Sequence, residues 1–65
     1  MKEYTNEAIA AVIDSHIHHA RNREILKRRY IDGITYEALA EEFELSVTQI
    51  KKIIYKSEGI IFKHL

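Results

Sequence analysis

Apolar residues recur at helical spacing in four stretches of the chain, separated by short polar segments. The first stretch predicts a helix that is capped at Thr5 or Asn6 and runs to about His19. Its apolar stripe is formed by Ile9, Val12, Ile13, Ile17 and Ala20. The stripe covers one side only, so this helix is expected to pack on a core.

The second stretch predicts a helix that follows a cap at Asn22 and ends near Ile31. Its apolar side is formed by Ile25, Leu26 and Tyr30. The dipeptide Asp32-Gly33 then breaks the chain, because a glycine readily adopts the left-handed conformation that ends helices.

The third stretch predicts a short helix capped by Thr35, with apolar residues inward and acidic residues outward. The inward side chains are Leu39, Ala40 and Phe43, and the outward ones are Glu37, Glu41 and Glu42. Glu44 and Leu45 form the break that follows.

The fourth stretch opens with Ser46-Val47-Thr48-Gln49, which has the pattern of a capping box. Its inner stripe is formed by Val47, Ile50, Ile53 and Ile54. We expect this helix to end near Ser57-Glu58-Gly59. The tail 58–65 is expected to close the core with a last turn, leaving one or two of its three adjacent apolar residues exposed.

These patterns predict an all-α fold, a small bundle of four to five helices containing a helix-turn-helix. The chain of 65 residues is long enough for a single domain. We divide it into an N-terminal helix (1–21), a three-helix unit (22–57) and the tail (58–65). The absence of cysteine excludes disulfides and thiolate metal sites and fits a cytoplasmic location. The longest apolar run, Ala8 to Ile13, is too short to span a membrane.

The formal net charge is zero, but charges are sorted along the chain. Residues 1–20 and 32–46 are net negative, whereas residues 21–31 and 47–65 are net positive. Blocks of this kind produce oppositely charged faces on a folded domain, even when the total charge is zero. The basic blocks favour an anionic partner, although a solvated helical surface has the same composition.

The third and fourth stretches together have the pattern of a DNA-binding helix-turn-helix. A small residue, Ala40, stands where the two helices cross. The shared core is formed by Leu39, Phe43, Leu45, Ile50 and Ile53. The side chains that face outward from the fourth helix are Thr48, Gln49, Lys51, Lys52, Tyr55 and Lys56. Glutamine pairs with an adenine edge, lysine with guanine acceptors, and the threonine methyl with the thymine methyl.

Residues Arg23 to Ile54 resemble the fourth region of bacterial sigma factors and the sigma-like phage regulators related to it. The similarity is carried by "REIL", by the spaced residues of "RYIDGITYEALAEEF", and by "SVTQIKKII". It covers about half of the chain. The resemblance implies that the last helix binds promoter DNA in the major groove, and that docking on RNA polymerase is a further activity.

Taken together, the pattern and the resemblance predict that four residues contact base edges and that five contact phosphates. The base-edge residues are Thr48, Gln49, Lys51 and Lys52, and the phosphate residues are Arg28, Arg29, Thr35, Ser46 and Lys56. The resemblance implies that Thr35 contacts phosphate at the start of the third helix. Arg23 is a further candidate for the phosphates, which supply most of the affinity and its salt dependence.

Two features depart from the family pattern. The turn usually carries a glycine where this chain has Glu44, so a differently shaped turn is expected. The upstream regions with which a full sigma factor melts promoter DNA are also missing. We therefore expect a small stand-alone regulator of phage or mobile-element origin.

The remaining candidate chemistry is weak. His16 and His19 stand three apart, a spacing that can share a metal, but no cysteine or well-placed carboxylate completes a site. No cofactor is expected. No nucleophile, catalytic carboxylate pair or phosphate-binding glycine loop indicates an enzyme.

The sequence thus predicts a sequence-specific, double-stranded DNA-binding transcription regulator that reads the major groove with helix 46–57. A homodimer is expected, because one hairpin reads only a few base pairs. Two alternatives remain open. One is an interaction module that docks on RNA polymerase or another protein through the acidic face of the third helix. The other is a phage DNA-packaging or recombination accessory protein.

Overall fold

The computed structural model describes residues 4–65 as four helices, with no strand in that range. They are α1 (Asn6–His16), α2 (Ala20–Tyr30), α3 (Tyr36–Phe43) and α4 (Val47–Lys63). The predicted all-α bundle is confirmed. The first three residues of the predicted N-terminal segment lie outside the described range. None of the helices described combines the length and the apolar character needed to cross a membrane.

Helix α1 begins as predicted and ends earlier than predicted. The Thr5 side chain caps it by accepting a hydrogen bond from the backbone N–H of Ala8 at 3.1 Å. The helix stops at His16 instead of near His19, because Ile17 has an extended backbone. The guanidinium of Arg23 donates to the carbonyls of Ile17 and His18, at 3.0 and 2.9 Å. These bonds satisfy carbonyls that the ended helix leaves open.

The predicted cap of α2 is wrong. The helix begins at Ala20, with His19 in the cap position, so Asn22 lies inside its first turn. Ala20 is exposed and belongs to α2, so it does not extend the apolar stripe of α1. Ile25 and Leu26 are fully buried, as their spacing predicted.

The core lies at the centre of the bundle and receives side chains from all four helices. Its buried apolar residues are Ile13, Ile17, Ile25, Leu26, Leu39, Ala40, Ile50, Ile54 and Ile61. Tyr30 is half-buried at its edge, and burial raises the pKa of its hydroxyl above the ordinary value. The aromatic ring of Phe62 packs against Tyr30 edge to face, with ring centroids 5.7 Å apart.

The predicted end of α4 is wrong, because the helix continues through Gly59 to Lys63. The buried residues Ile50, Ile54, Ser57 and Ile61 continue one helical stripe across the glycine. A glycine in a helix costs about 1 kcal/mol relative to alanine, and burying an isoleucine side chain offsets more than that. The tail is therefore part of α4. Two of its apolar residues, Ile60 and Phe62, are exposed, as expected.

The breaks after α2 and after α3 each use a left-handed residue. Gly33, after α2, has a φ of 69°, as predicted. Glu44, after α3, has a φ of 56° and a ψ of 43°, so a residue other than glycine adopts the left-handed conformation here. The expectation that the turn differs in shape from that of the resembling family stays a prediction. The backbone N–H of Leu45 donates to the carbonyl of Ala40 at 2.9 Å and closes the end of α3.

Replacing Glu44 by glycine is expected to stabilise the protein by about 0.5–1 kcal/mol. The substitution relieves the left-handed strain and removes a negative charge from the C-terminal end of α3, where the helix dipole disfavours it. The control is Glu41→Gly, in the exposed interior of the same helix, which is expected to destabilise by about 1 kcal/mol. Urea unfolding measures both. A loss of stability in Glu44→Gly would contradict the strain argument.

Candidate nucleic-acid interface

Helices α3 and α4 form a hairpin, and a capping box fixes the residue at which α4 begins. The predicted capping box is present at Ser46 and Gln49. The backbone N–H of Gln49 donates to Ser46 Oγ at 3.1 Å, and the backbone N–H of Ser46 donates to Gln49 Oε1 at 2.9 Å. Two N–H groups that the helix leaves open are thereby satisfied, and the first turn of α4 is well defined.

The hairpin core places the outward residues on one surface. Leu39 and Ala40 of α3 are buried with Ile50 and Ile54 of α4, and Ile53 is only partly buried. The small side chain of Ala40 lies in the core, as its proposed position at the helix crossing requires. The exposed side chains on the other side of α4 are Thr48, Gln49, Lys51, Lys52, Tyr55 and Lys56. These are the residues that the spacing placed outward.

One flank of this surface is an aromatic and cationic cluster of Arg29, Tyr36, Lys51 and Tyr55. The Arg29 guanidinium carbon lies 4.3 Å from the centre of the Tyr36 ring, and Lys51 Nζ lies 5.8 Å from it. Arg29 also donates to the carbonyl of Ile34 at 3.0 Å, which holds the loop before α3. Hydrogen bonding with Tyr36 raises the pKa of the Tyr55 hydroxyl above its ordinary value.

The other flank consists of two grooves that share Lys52 and Ile53. A small groove of about 210 Å³ is lined by Arg21, Leu45, Gln49, Lys52 and Ile53. A larger groove of about 530 Å³ lies between α4 and the junction of α1 with α2. Arg21 was not among the predicted site residues. Its place in the basic block 21–31 was the only signal for it, because its position beside α4 depends on the packing of α2.

The residues predicted to bind phosphate differ in whether an ion pair within the protein already compensates their charge. Arg28 is paired with Glu42 and Asp32 at 3.2 Å each. Hydrogen bonds to Glu42 first, and to Asp32 second, raise the pKa of Arg28 above its ordinary value. Its charge is thus compensated on the acidic side of the molecule. Lys56 is exposed and belongs to none of the ion pairs found in the described chain.

Several other predicted residues already make hydrogen bonds. Thr35 Oγ1 accepts from the N–H of Ala38 at 3.2 Å, and Ser46 Oγ accepts within the capping box. Their hydroxyls keep a proton to donate. Gln49 Oε1 already accepts one bond in the box, so pairing with an adenine edge would use its second lone pair while the box restricts the side chain. Arg23, which donates to the end of α1, is committed to the fold.

The histidines lie at the junction of α1 with α2 and at the C-terminal end of α4. Within residues 4–65, no group of three or more histidine, aspartate or glutamate side chains is arranged to hold a metal ion. His16 instead stacks on His64, with ring centroids 3.7 Å apart and ring planes 7° from parallel. His18 and His19 are exposed at the large groove.

Comparison of the chain with protein-family models, with curated proteins and with solved structures finds no match. The similarity to region four of sigma factors therefore rests on the sequence features themselves. Any functional assignment rests on the geometry of the hairpin and on the distribution of charge around it.

Proposed function

We propose that the protein is a sequence-specific DNA-binding transcription regulator whose α4 enters the major groove of a duplex. The observation that carries the proposal is the exposed face of α4, with its three lysines, on a hairpin with a capped start and a left-handed turn. The acidic side chains of α3 are exposed, and none of them lines the grooves beside α4. A helix of this kind fits the width of the B-DNA major groove.

The proposed roles depend on which side chains have polar atoms that are not already hydrogen-bonded or ion-paired within the protein. Thr48, Lys51 and Lys52 are the candidates for base edges, with Gln49 limited by its bond in the capping box. Arg29 and Lys56, with the hydroxyls of Thr35 and Ser46, are the candidates for phosphates on either side. Arg28 is the weakest of the predicted phosphate residues, because Glu42 and Asp32 already compensate its charge.

Useful specificity needs more than one hairpin, since a single one contacts only a few base pairs. We therefore propose that a second copy of the chain, or RNA polymerase, binds beside it on the DNA. The exposed Phe62 and Ile60 near the end of α4 are available for a second copy. A strict monomer in sedimentation at high micromolar concentration counts against a dimer.

The proposal is tested by fluorescence anisotropy with a pool of random duplex DNA over a salt series. Neutralising each phosphate lowers log K by about 0.9 per unit of log salt concentration. With a few lysine and arginine contacts, we expect a slope of roughly −3 to −4. Absence of binding at low salt would refute the proposal for this chain. Selection from the same pool then gives the site.

The alternative of a protein partner has one supporting observation. Glu37 and Glu41 on the outer side of α3 are exposed, and no ion pair in the described chain involves them. Glu42, by contrast, is tied to Arg28. A protein that binds no DNA, and that loses a partner in Glu37→Lys with Glu41→Lys, would have this second function.

A further inference from the structure

The larger groove beside α4 has a composition suited to an anion. Its polar lining comes from His16, His18, His19, Asn22, Lys52, Lys56 and Ser57, and its apolar lining from Ile17, Ile53 and Ile60. None of the residues that line this groove or the smaller one is an aspartate or glutamate. The chain as a whole has as many acidic as basic side chains. The absence of carboxylates here therefore reflects how the fold distributes charge.

The start of α2 contributes to the same groove. His19 is in the cap position but makes no side-chain capping hydrogen bond, and the first turn carries no acidic residue. The first N–H groups of α2 are thus left without a side-chain acceptor, at the helix end where the dipole favours anions. The hydrogen bonds of Arg23 to the carbonyls of Ile17 and His18 hold this junction in place.

Ser57 provides an independent polar group in the groove. It is the one polar residue in the buried set of the described chain, 7% exposed, and it lines the groove from α4. No hydrogen bond of its hydroxyl is found within residues 4–65. No side-chain polar atom in that range is both fully enclosed and unpaired, so the hydroxyl keeps some contact with solvent. A bound anion with oxygen acceptors would complete its hydrogen bonding.

We propose that this groove binds a backbone phosphate of the DNA that α4 reads, with His18 and His19 as ligands beside Lys52 and Lys56. The proposal rests on the proposed function and adds a second set of contacts to the DNA backbone, made by the α1–α2 junction. Because imidazole side chains generally gain a proton between pH 8 and pH 5, the contact strengthens as the pH falls.

The groups that face the two histidines are cationic or neutral. Lys52 and Lys56 face them from α4, His16 from α1 and Asn22 from α2, while Arg21 lies in the adjoining groove. His64 stacks on His16. Two nearby acids act elsewhere. Asp14 pairs with Lys27 at 2.7 Å, and Glu58 interacts with Tyr30 and Tyr55, which do not line the groove. The groove lining thus holds cationic and neutral side chains and no carboxylate, which favours an anionic ligand.

The test measures the affinity for one duplex by anisotropy at about pH 6 and about pH 8, at constant salt. We expect wild-type protein to bind about tenfold more tightly at the lower pH. In His18→Gln with His19→Gln, the ratio is expected to fall to about twofold or less, because His16 is the one histidine of the groove lining that remains. Both positions are exposed, and circular dichroism verifies the fold.

The comparison variant is His64→Gln, which removes the ring that stacks on His16 but does not itself line the groove, and it is expected to keep the tenfold ratio. Equal affinities of wild-type protein at the two pH values would overturn the groove proposal and leave DNA binding intact. A tenfold affinity ratio that persists in His18→Gln with His19→Gln would also overturn the groove proposal. Failure of wild-type protein to bind DNA at either pH would instead refute the proposed function, and the groove proposal with it.

Discussion

Replacing Leu39 by alanine is expected to destabilise the protein by about 3 kcal/mol. Leu39 is the largest fully buried side chain of α3, which has only eight residues. The loss combines the transfer free energy of three carbons with the cavity they leave. A chain of this length has a total stability of roughly 3–10 kcal/mol. The substitution therefore removes a large share of it, and urea unfolding monitored by circular dichroism measures the change.

Ile60→Ala is the matched control, because it also removes three carbons but from a side chain that is 41% exposed. Its cost is expected to stay below about 1 kcal/mol. The contrast between the two variants isolates burial from loss of apolar volume. Equal costs would show that α3 is not held to the bundle through Leu39 as described.

Reversing two charges on α4, in Lys51→Glu with Lys52→Glu, is expected to weaken DNA binding at least a hundredfold, since each good contact contributes about 1–3 kcal/mol. The two lysines lie on opposite flanks of the exposed surface. Lys51 is near the Tyr36 ring, and Lys52 lines both grooves. Both are exposed, so the fold is expected to survive. Anisotropy at low salt measures the loss, and unchanged affinity would remove α4 from the DNA interface.

A milder pair of variants separates local contacts from net charge. Lys51→Gln with Lys52→Gln and the single change Lys63→Glu lower the net charge equally. The first removes two charges held against the duplex, one of them in the groove proposed for a phosphate, and is expected to reduce the salt slope by roughly one to two units. The second, near the C-terminal end of α4, is expected to leave the slope unchanged. If both lower it alike, binding depends on overall charge and not on the proposed surface.

Local sequence signals predicted the helix starts that depend on side-chain caps. Thr5, Thr35 and Ser46 each accept the expected backbone hydrogen bond. The starts and ends that failed depend on partners distant in sequence. Asn22 has a suitable side chain for a cap, but Arg23 reaches back to Ile17 and His18 and places the junction earlier. No local pattern contains that information.

The candidate site follows the same division. The exposed residues of α4 were predictable from helical spacing, because the inward stripe leaves only one side free. Helical spacing could not show which of the predicted site residues have polar atoms that are not already hydrogen-bonded or ion-paired. Gln49 is shared with the capping box, and Arg28 is compensated by Glu42, fourteen positions away. The grooves beside Lys52 arise from the packing of α1, α2 and α4.

The sequence by itself determined the all-α class, the hairpin with its box at Ser46, and the lysine-bearing face of α4. Periodicity and capping act over a single turn, so they can be read from neighbouring residues. Only the tertiary structure decided that α4 continues across Gly59, that Glu44 adopts the left-handed conformation, and that the histidines face lysines in one groove. Those outcomes depend on burial of Ile61, on closure of the hairpin and on helix packing, which join residues far apart in the chain.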